Sequence, residues 1–258
     1  MQNDNWKSSP DDLDLEIHQV DIWRISLNLP VDSVNSLESY LSADETERAA
    51  RFHFRAGREH FIAARGCLRE ILARYLHCEP GQLTFSSNQY GKPELQDHYL
   101  EFNLSHSGDY ALVGVTMKRK IGVDIERIRS DLGLESIANR FFSQREVSEL
   151  SALPSEQRVA GFFNCWTRKE AYIKAHGLGL SLPLDSFDVS LTPNKPAILR
   201  ATRPDPKEAI GWTLFSLEVN PHYMSAVATQ GQGLEFRLWD WKVRKNAYHS
   251  ETESLPRH

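Results

Sequence analysis

No run of apolar residues in this 258-residue chain approaches the ~20 that a membrane-spanning helix requires, so a helical membrane span is not expected. Cysteine is scarce. Cys67, Cys78 and Cys165 are odd in number and lack metal-ligand spacing, which excludes a disulfide framework and a thiolate zinc site and leaves three small hydrophobes. The opening residues, Met1-Gln-Asn-Asp-Asn-Trp-Lys7, hold no apolar core for a secretory signal, so the expected location is the cytoplasm. Positive charge is in deficit, with 30 Lys and Arg against 35 Asp and Glu, and the resulting net charge of −5 argues against a protein that coats nucleic acid.

What is present reads as an α+β protein. Strands are expected near residues 16–27, 110–116, 121–126, 187–191, 212–219, 223–229 and 234–241, helices near 42–75 and 155–176, the latter stopping at Gly177. Ser143-Gln-Arg-Glu146 is a capping box. Residues 1–13 and 246–258 are polar and aperiodic and are expected to fray. An internal echo at an offset of 113 residues matches Phe102, Leu104, Tyr110 and Thr116 to Phe215, Leu217, Tyr223 and Thr229. It predicts two similar α+β halves, residues 14–118 and 119–245, related by a pseudo-twofold axis with the active cleft between them.

Charge is segregated locally. Between residues 47 and 74 seven arginines face three glutamates, and arginine beside a core edge suits bidentate contact with phosphate. Acidic residues are placed more pointedly. In Gly122-Val-Asp124-Ile-Glu126 the strand period puts Gly122, Asp124 and Glu126 on one face, where two carboxylates repel unless a cation joins them and Gly122 lets a ligand approach closely. In Trp166-Thr-Arg-Lys-Glu-Ala-Tyr-Ile-Lys174 the helical wheel puts Glu170 in one sector with Val159, Phe163 and Trp166. A carboxylate there pairs with Lys174 one turn on, or holds a metal. Hard oxygen ligands favour magnesium, and three carboxylates with a lysine are chemistry for polyphosphate. Ser105, His106 and Ser107 at a strand end can donate to phosphate oxygens, and the turn Tyr90-Gly-Lys-Pro93 presents Lys92.

In this order the motifs resemble those of the Sfp-type 4'-phosphopantetheinyl transferases: Gly91-Lys-Pro93, Phe102-Asn-Leu-Ser-His-Ser107, Gly122-Val-Asp-Ile-Glu126, Phe141-Phe-Ser-Gln-Arg-Glu146, and the helix from Trp166 to Leu180. The resemblance covers about residues 15–190. It implies magnesium-dependent transfer of the phosphopantetheine arm of coenzyme A to a serine of an acyl or peptidyl carrier protein, releasing 3',5'-ADP. It also implies that Asp124, Glu126 and Glu170 hold the metal, that Lys174 contacts the transferred phosphate, and that Lys92, Ser105 and His106 bind the nucleotide's phosphates. Glu170 or a metal-bound water would be the general base. Arg48, Arg51 and Arg65 are candidate coenzyme A contacts, and Leu178, Leu180 and Leu182 a carrier-docking loop. A monomer is expected, because the chain carries both halves, and neither nucleic acid nor membrane is expected as a partner. A magnesium-dependent phosphodiesterase or nuclease and a non-catalytic carrier-binding module are the alternatives.

Overall fold

A computed structural model describes residues 6–10, 13–96, 99–129, 133–203 and 205–243, with the backbone alone at Leu180. In the first part of the chain, strands β1 (Lys7–Ser8) and β2 (Gln19–Ser26) precede helices α1 (Val31–Glu38), α2 (Ala43–Ala50) and α3 (Arg55–Leu76). There follow β3 (Phe85–Ser87), β4 (Pro93–Leu95) and the hairpin β5 (Leu100–Ser107) and β6 (Tyr110–Met117). The second part holds β7 (Ile121–Arg127), α4 (Leu134–Phe141), α5 (Gln144–Ala152) and α6 (Ser155–His176). It ends with β8 (Phe187–Val189), β9 (Leu199–Thr202), β10 (Trp212–Leu217), β11 (Tyr223–Gln230) and β12 (Glu235–Asp240).

The echo in the sequence corresponds to a repeated topology. One sheet contains the order β2-β6-β5 and the other β7-β11-β10, each a hairpin flanked by the strand that precedes it. The echoed Thr116 and Thr229 do the same work, donating to the carbonyls of Arg119 (2.7 Å) and Lys120 (3.0 Å) in the connection between the parts. The echoed Tyr110 and Tyr223 meet edge to face, 5.2 Å between centroids. Val20, Ile22 and Leu112 of the first sheet pack on Ile121, Val123 and Val227 of the second, so the apolar seam runs directly behind the site.

Three expectations are corrected. Residues 42–75 are not one helix: residues 51–54 break it, and Phe52 folds back on Phe61, 5.4 Å between rings. The break lets α2 lie along α3, where the Glu45 carboxylate receives Arg65 Nε at 2.8 Å and Arg69 Nε at 2.6 Å. In an unbroken helix Glu45 and Arg69, 24 positions apart, would be separated by ~36 Å, and both charges would lose their partner. Second, β12 lies outside the half assigned to it, pairing parallel with β2 in the first sheet, because the edge of β2 would otherwise be bare and Trp239 finds Trp23 there. Third, part of the N-terminal segment is docked: β1 pairs with β12, and the Trp6 indole donates to Glu218 O at 2.9 Å. Residues 246–258 lie outside the described residues. Cys67 and Cys165 are buried as expected, whereas Cys78 is exposed. Among the described residues no helix is long and apolar enough to cross a membrane.

Candidate active site

Two elements carry the acidic residues, and one glycine sets their distance. β7 crosses beneath α6 at Gly122, where an added Cβ would stand 2.0 Å from Ala171 O and 2.3 Å from Ala175 N. The glycine therefore admits the helix and not a ligand, which corrects the expectation drawn from its place on the strand. On α6 the core side is held by Lys169, fully buried, whose Nζ meets Glu146 Oε2 at 2.8 Å, Leu184 O at 2.6 Å and Phe187 O at 2.7 Å. A buried ion pair needs such further bonds to offset its desolvation. Trp166, Glu170 and Lys174, four residues apart, form the cleft side. Phe141 and Phe162 pack on Trp166 at 5.9 and 6.1 Å between centroids, fixing the start of that stripe.

Asp124 is the centre of the arrangement. Its side chain is buried, and Oδ1 accepts from Lys174 Nζ at 2.6 Å and Ser105 Oγ at 3.2 Å. Oδ2, equally buried, has no hydrogen-bond partner among the described residues. Burial pushes the Asp124 carboxyl above the ordinary aspartate range, and the Lys174 ammonium only partly opposes it. Glu126 is raised by burial and by Asp124, with Ser107 and the Trp166 indole favouring its ionised form. Glu170 is raised by burial and by Asp124, with Lys174 opposing and Glu126 adding to the rise. The three carboxylates thus feel one another across the cleft. Among the described residues, however, no three acidic, histidine or cysteine side chains form a ready-made metal cage. Lys174 forms its ion pair with Asp124 and not with Glu170.

The remaining candidates divide. Glu170, Lys174, Lys92 and Pro93 line one cavity of about 240 Å³ with Tyr90, Asn103 and Ile173. The turn that carries Lys92 is built by Asn88, whose Oδ1 accepts from the Tyr90 and Lys92 amides and whose Nδ2 donates to Gly177 O at 2.9 Å. Lys92 Nζ donates to Ile121 O and Ala175 O, both at 3.2 Å, so it caps the C-terminal end of α6. Burial draws its pKa below the ordinary lysine value. His106 reaches the surface at the cleft rim, and its crowded surroundings, then Lys174, His60 and Arg48, keep its imidazole below the ordinary histidine value. Arg48, His60 and His106 therefore lie close together at the rim, where the neighbouring charges favour a neutral His106 ring. Arg65 is turned to Glu45, and Arg51 to Glu47 at 2.7 Å. Leu178 is half-buried, Leu182 packs into the core around α6, and the side chain of Leu180 lies outside the described residues, so the exposed leucine loop is not observed.

Sequence reasoning missed three contributors, His60, the indole of Trp166 and the side chain of Asn103, and it did not foresee that Ser107 joins Asn103 in bridging β5 to β7. The alternation Asn103-x-Ser105-x-Ser107 was the available signal, since it puts three polar side chains on one strand face.

Comparison with known proteins finds relatives along most of the chain. Residues 120–227 match the 4'-phosphopantetheinyl transferase superfamily and residues 30–118 the N-terminal region of 4'-phosphopantetheinyl transferases. The 4'-phosphopantetheinyl transferase HetI of Nostoc sp. is 41% identical over 93% of this chain and 100% of its own length. The chain belongs to the 4'-phosphopantetheinyl transferase family. Other relatives of that name are ffp of Bacillus subtilis, 32% identical over 80% of this chain and 90% of its own length, and Sfp of Bacillus subtilis, 36% identical over 59% and 67%. Membership in this transferase family sets aside the nuclease and the non-catalytic module.

Proposed function

We propose that this phosphopantetheinyl transferase moves the 4'-phosphopantetheine arm of coenzyme A onto a serine hydroxyl of an acyl or peptidyl carrier protein and releases 3',5'-ADP. The observation that carries the reading is the buried Asp124 carboxylate, with Oδ2 unpartnered among the described residues and Glu126, Glu170 and Lys174 around it. A buried polar atom without a partner is a costly arrangement in a cleft unless a ligand completes it. The donors are all oxygen, which fits a hard divalent cation such as magnesium. Asp124, Glu126 and Glu170 would hold it, and when bound it would neutralise the diphosphate oxygens of coenzyme A.

The protein's own residues supply the rest. Lys174 carries a positive charge on a flexible stem at the cleft, suited to the phosphate being transferred. At the rim, the Arg48 guanidinium supplies charge and the His106 ring an N–H donor, a combination that suits the nucleotide's phosphates. In the transfer step the carrier's serine oxygen forms a bond to phosphorus, the bond to the bridging oxygen breaks, and the leaving diphosphate oxygen remains on 3',5'-ADP. The serine proton passes to Glu170, whose raised pKa brings it nearer to that of an efficient base at neutral pH. Carrier docking beside Gly177 and Gly179 would meet Leu178. Both walls of the cleft come from one chain, in keeping with a monomer.

Incubation with coenzyme A, magnesium and an unmodified carrier, followed by mass spectrometry of the carrier, tests the reading. Gain of the phosphopantetheine mass is expected, and no gain with several carriers overturns it. Glu170→Gln should lower the transfer rate by roughly 10²-fold with the thermal midpoint little changed. Near-normal turnover would instead show that Glu170 is not the base. Magnesium should raise the thermal midpoint of the parent protein by mass action, and that rise should vanish in Asp124→Asn.

A further inference from the structure

β7 is the outer strand of its sheet, and the amides of Val123, Ile125 and Arg127 find their acceptors on side chains of β5. Asn103 Oδ1 accepts from Val123 at 2.9 Å, Ser105 Oγ from Ile125 at 3.4 Å and Ser107 Oγ from Arg127 at 3.1 Å, each acceptor 20 residues before its donor. A constant offset means that β5 and β7 run parallel, joined through side chains where a ladder of main-chain bonds would ordinarily stand.

A hydroxyl has one proton and two lone pairs. At Ser105 the lone pairs take the Ile125 amide and, at 2.9 Å, the Lys174 ammonium, which leaves the proton for Asp124 Oδ1 at 3.2 Å. At Ser107 a lone pair takes the Arg127 amide and the proton goes to Glu126 Oε2 at 3.2 Å. The main chain of β7 therefore sets the polarity of both hydroxyls, and both protons are aimed at carboxylates of the same strand. Neither serine is a free donor for phosphate, as the strand-end motif alone had led one to expect.

We infer that Ser107 is a positioning residue for Glu126: held by the Arg127 amide, it fixes the carboxylate in the orientation from which Glu126 binds a divalent cation. The inference rests on the proposed cation site. Ser107 separates from Ser105 experimentally because it touches neither Lys174 nor Asp124, and it is only half-buried, so water can satisfy the Arg127 amide once the hydroxyl is gone. Removing a hydrogen bond that orients a metal ligand typically weakens metal affinity by about 10- to 100-fold.

The test is Mn²⁺ binding to the full-length protein by electron paramagnetic resonance, with the thermal midpoint and the metal dependence of transfer measured beside it. Ser107→Ala should bind Mn²⁺ about tenfold more weakly at a thermal midpoint close to the parent's, and its transfer rate should recover as metal is raised. Ser107→Thr keeps the hydroxyl, suits a strand, and should bind as the parent does. Parent-like affinity in Ser107→Ala overturns the inference, as does failure of a folded Ser107→Thr to restore binding. A parent protein that binds no Mn²⁺ removes the cation site and this inference with it, while the carrier mass assay still decides the transferase reading separately.

Discussion

Asp124→Asn is expected to lower phosphopantetheine transfer by roughly 10³-fold, the scale seen when one preorganised electrostatic contact to a reacting centre is lost. The fold should hardly register the change. In the folded protein the ionised carboxylate stands at a buried position that pushes its pKa up, so its desolvation offsets much of what Lys174 and Ser105 return to it. An amide of the same shape is neutral, so the variant is relieved of the desolvation penalty that the buried carboxylate carries. Lys174 loses its partner, but with 30% of its side chain exposed it recovers hydration. A thermal melt and a single-turnover transfer assay by mass spectrometry separate the two roles that Asp124 could have. Turnover within tenfold of the parent, accompanied by a drop in the melting midpoint, would make it a structural ion-pair residue and end the catalytic reading.

Much of the fold was legible because its signals are local. The capping box at Ser143 and Glu146 forms both reciprocal bonds, at 2.9 and 3.3 Å, and α6 stops at Gly177, whose φ of 70° suits a residue without a Cβ. The two hairpins were readable from four matched residues, since Tyr110 with Tyr223 and Thr116 with Thr229 each occupy equivalent places. What escaped depends on contacts between distant residues. The break at residues 51–54 is stabilised by Glu45 meeting Arg65 and Arg69, and a helical wheel drawn for one continuous segment cannot show a charge from a second helix. The carboxylates Asp124, Glu126 and Glu170 could be named from strand and helix periods, because a period reports which residues share a face. Periodicity does not report what lies opposite that face. Ser105, Ser107 and Lys92 were therefore read as donors to phosphate, and periodicity could not show that the two serines donate to carboxylates and Lys92 to a carbonyl at a helix end.

Gly122→Ala should show the opposite pattern to Asp124→Asn, with stability and activity falling together. Its Cβ would enter the main chain of α6 at Ala171 and Ala175, and neither contact is with a flexible side chain that could move aside. To reach an ordinary van der Waals separation from Ala171 O, now 2.0 Å from the added carbon, the helix and strand must part by more than an ångström. Overpacking of this kind costs about 3 kcal/mol at the upper end of its usual range, which for a chain of this size lowers the melting midpoint by roughly 6–12 °C. The same displacement separates the halves of the site, since Glu170 and Lys174 travel with α6 while Asp124 and Glu126 stay on β7. A misplacement of about 1 Å can reduce turnover by roughly 10²-fold without removing any reacting group. Binding of Mn²⁺ should weaken in parallel, because the ligands proposed for the cation come from both elements. A variant that melts with the parent and retains its rate would show that the spacing of strand and helix is set elsewhere, and that Gly122 does not set the distance across which Asp124 and Glu170 act.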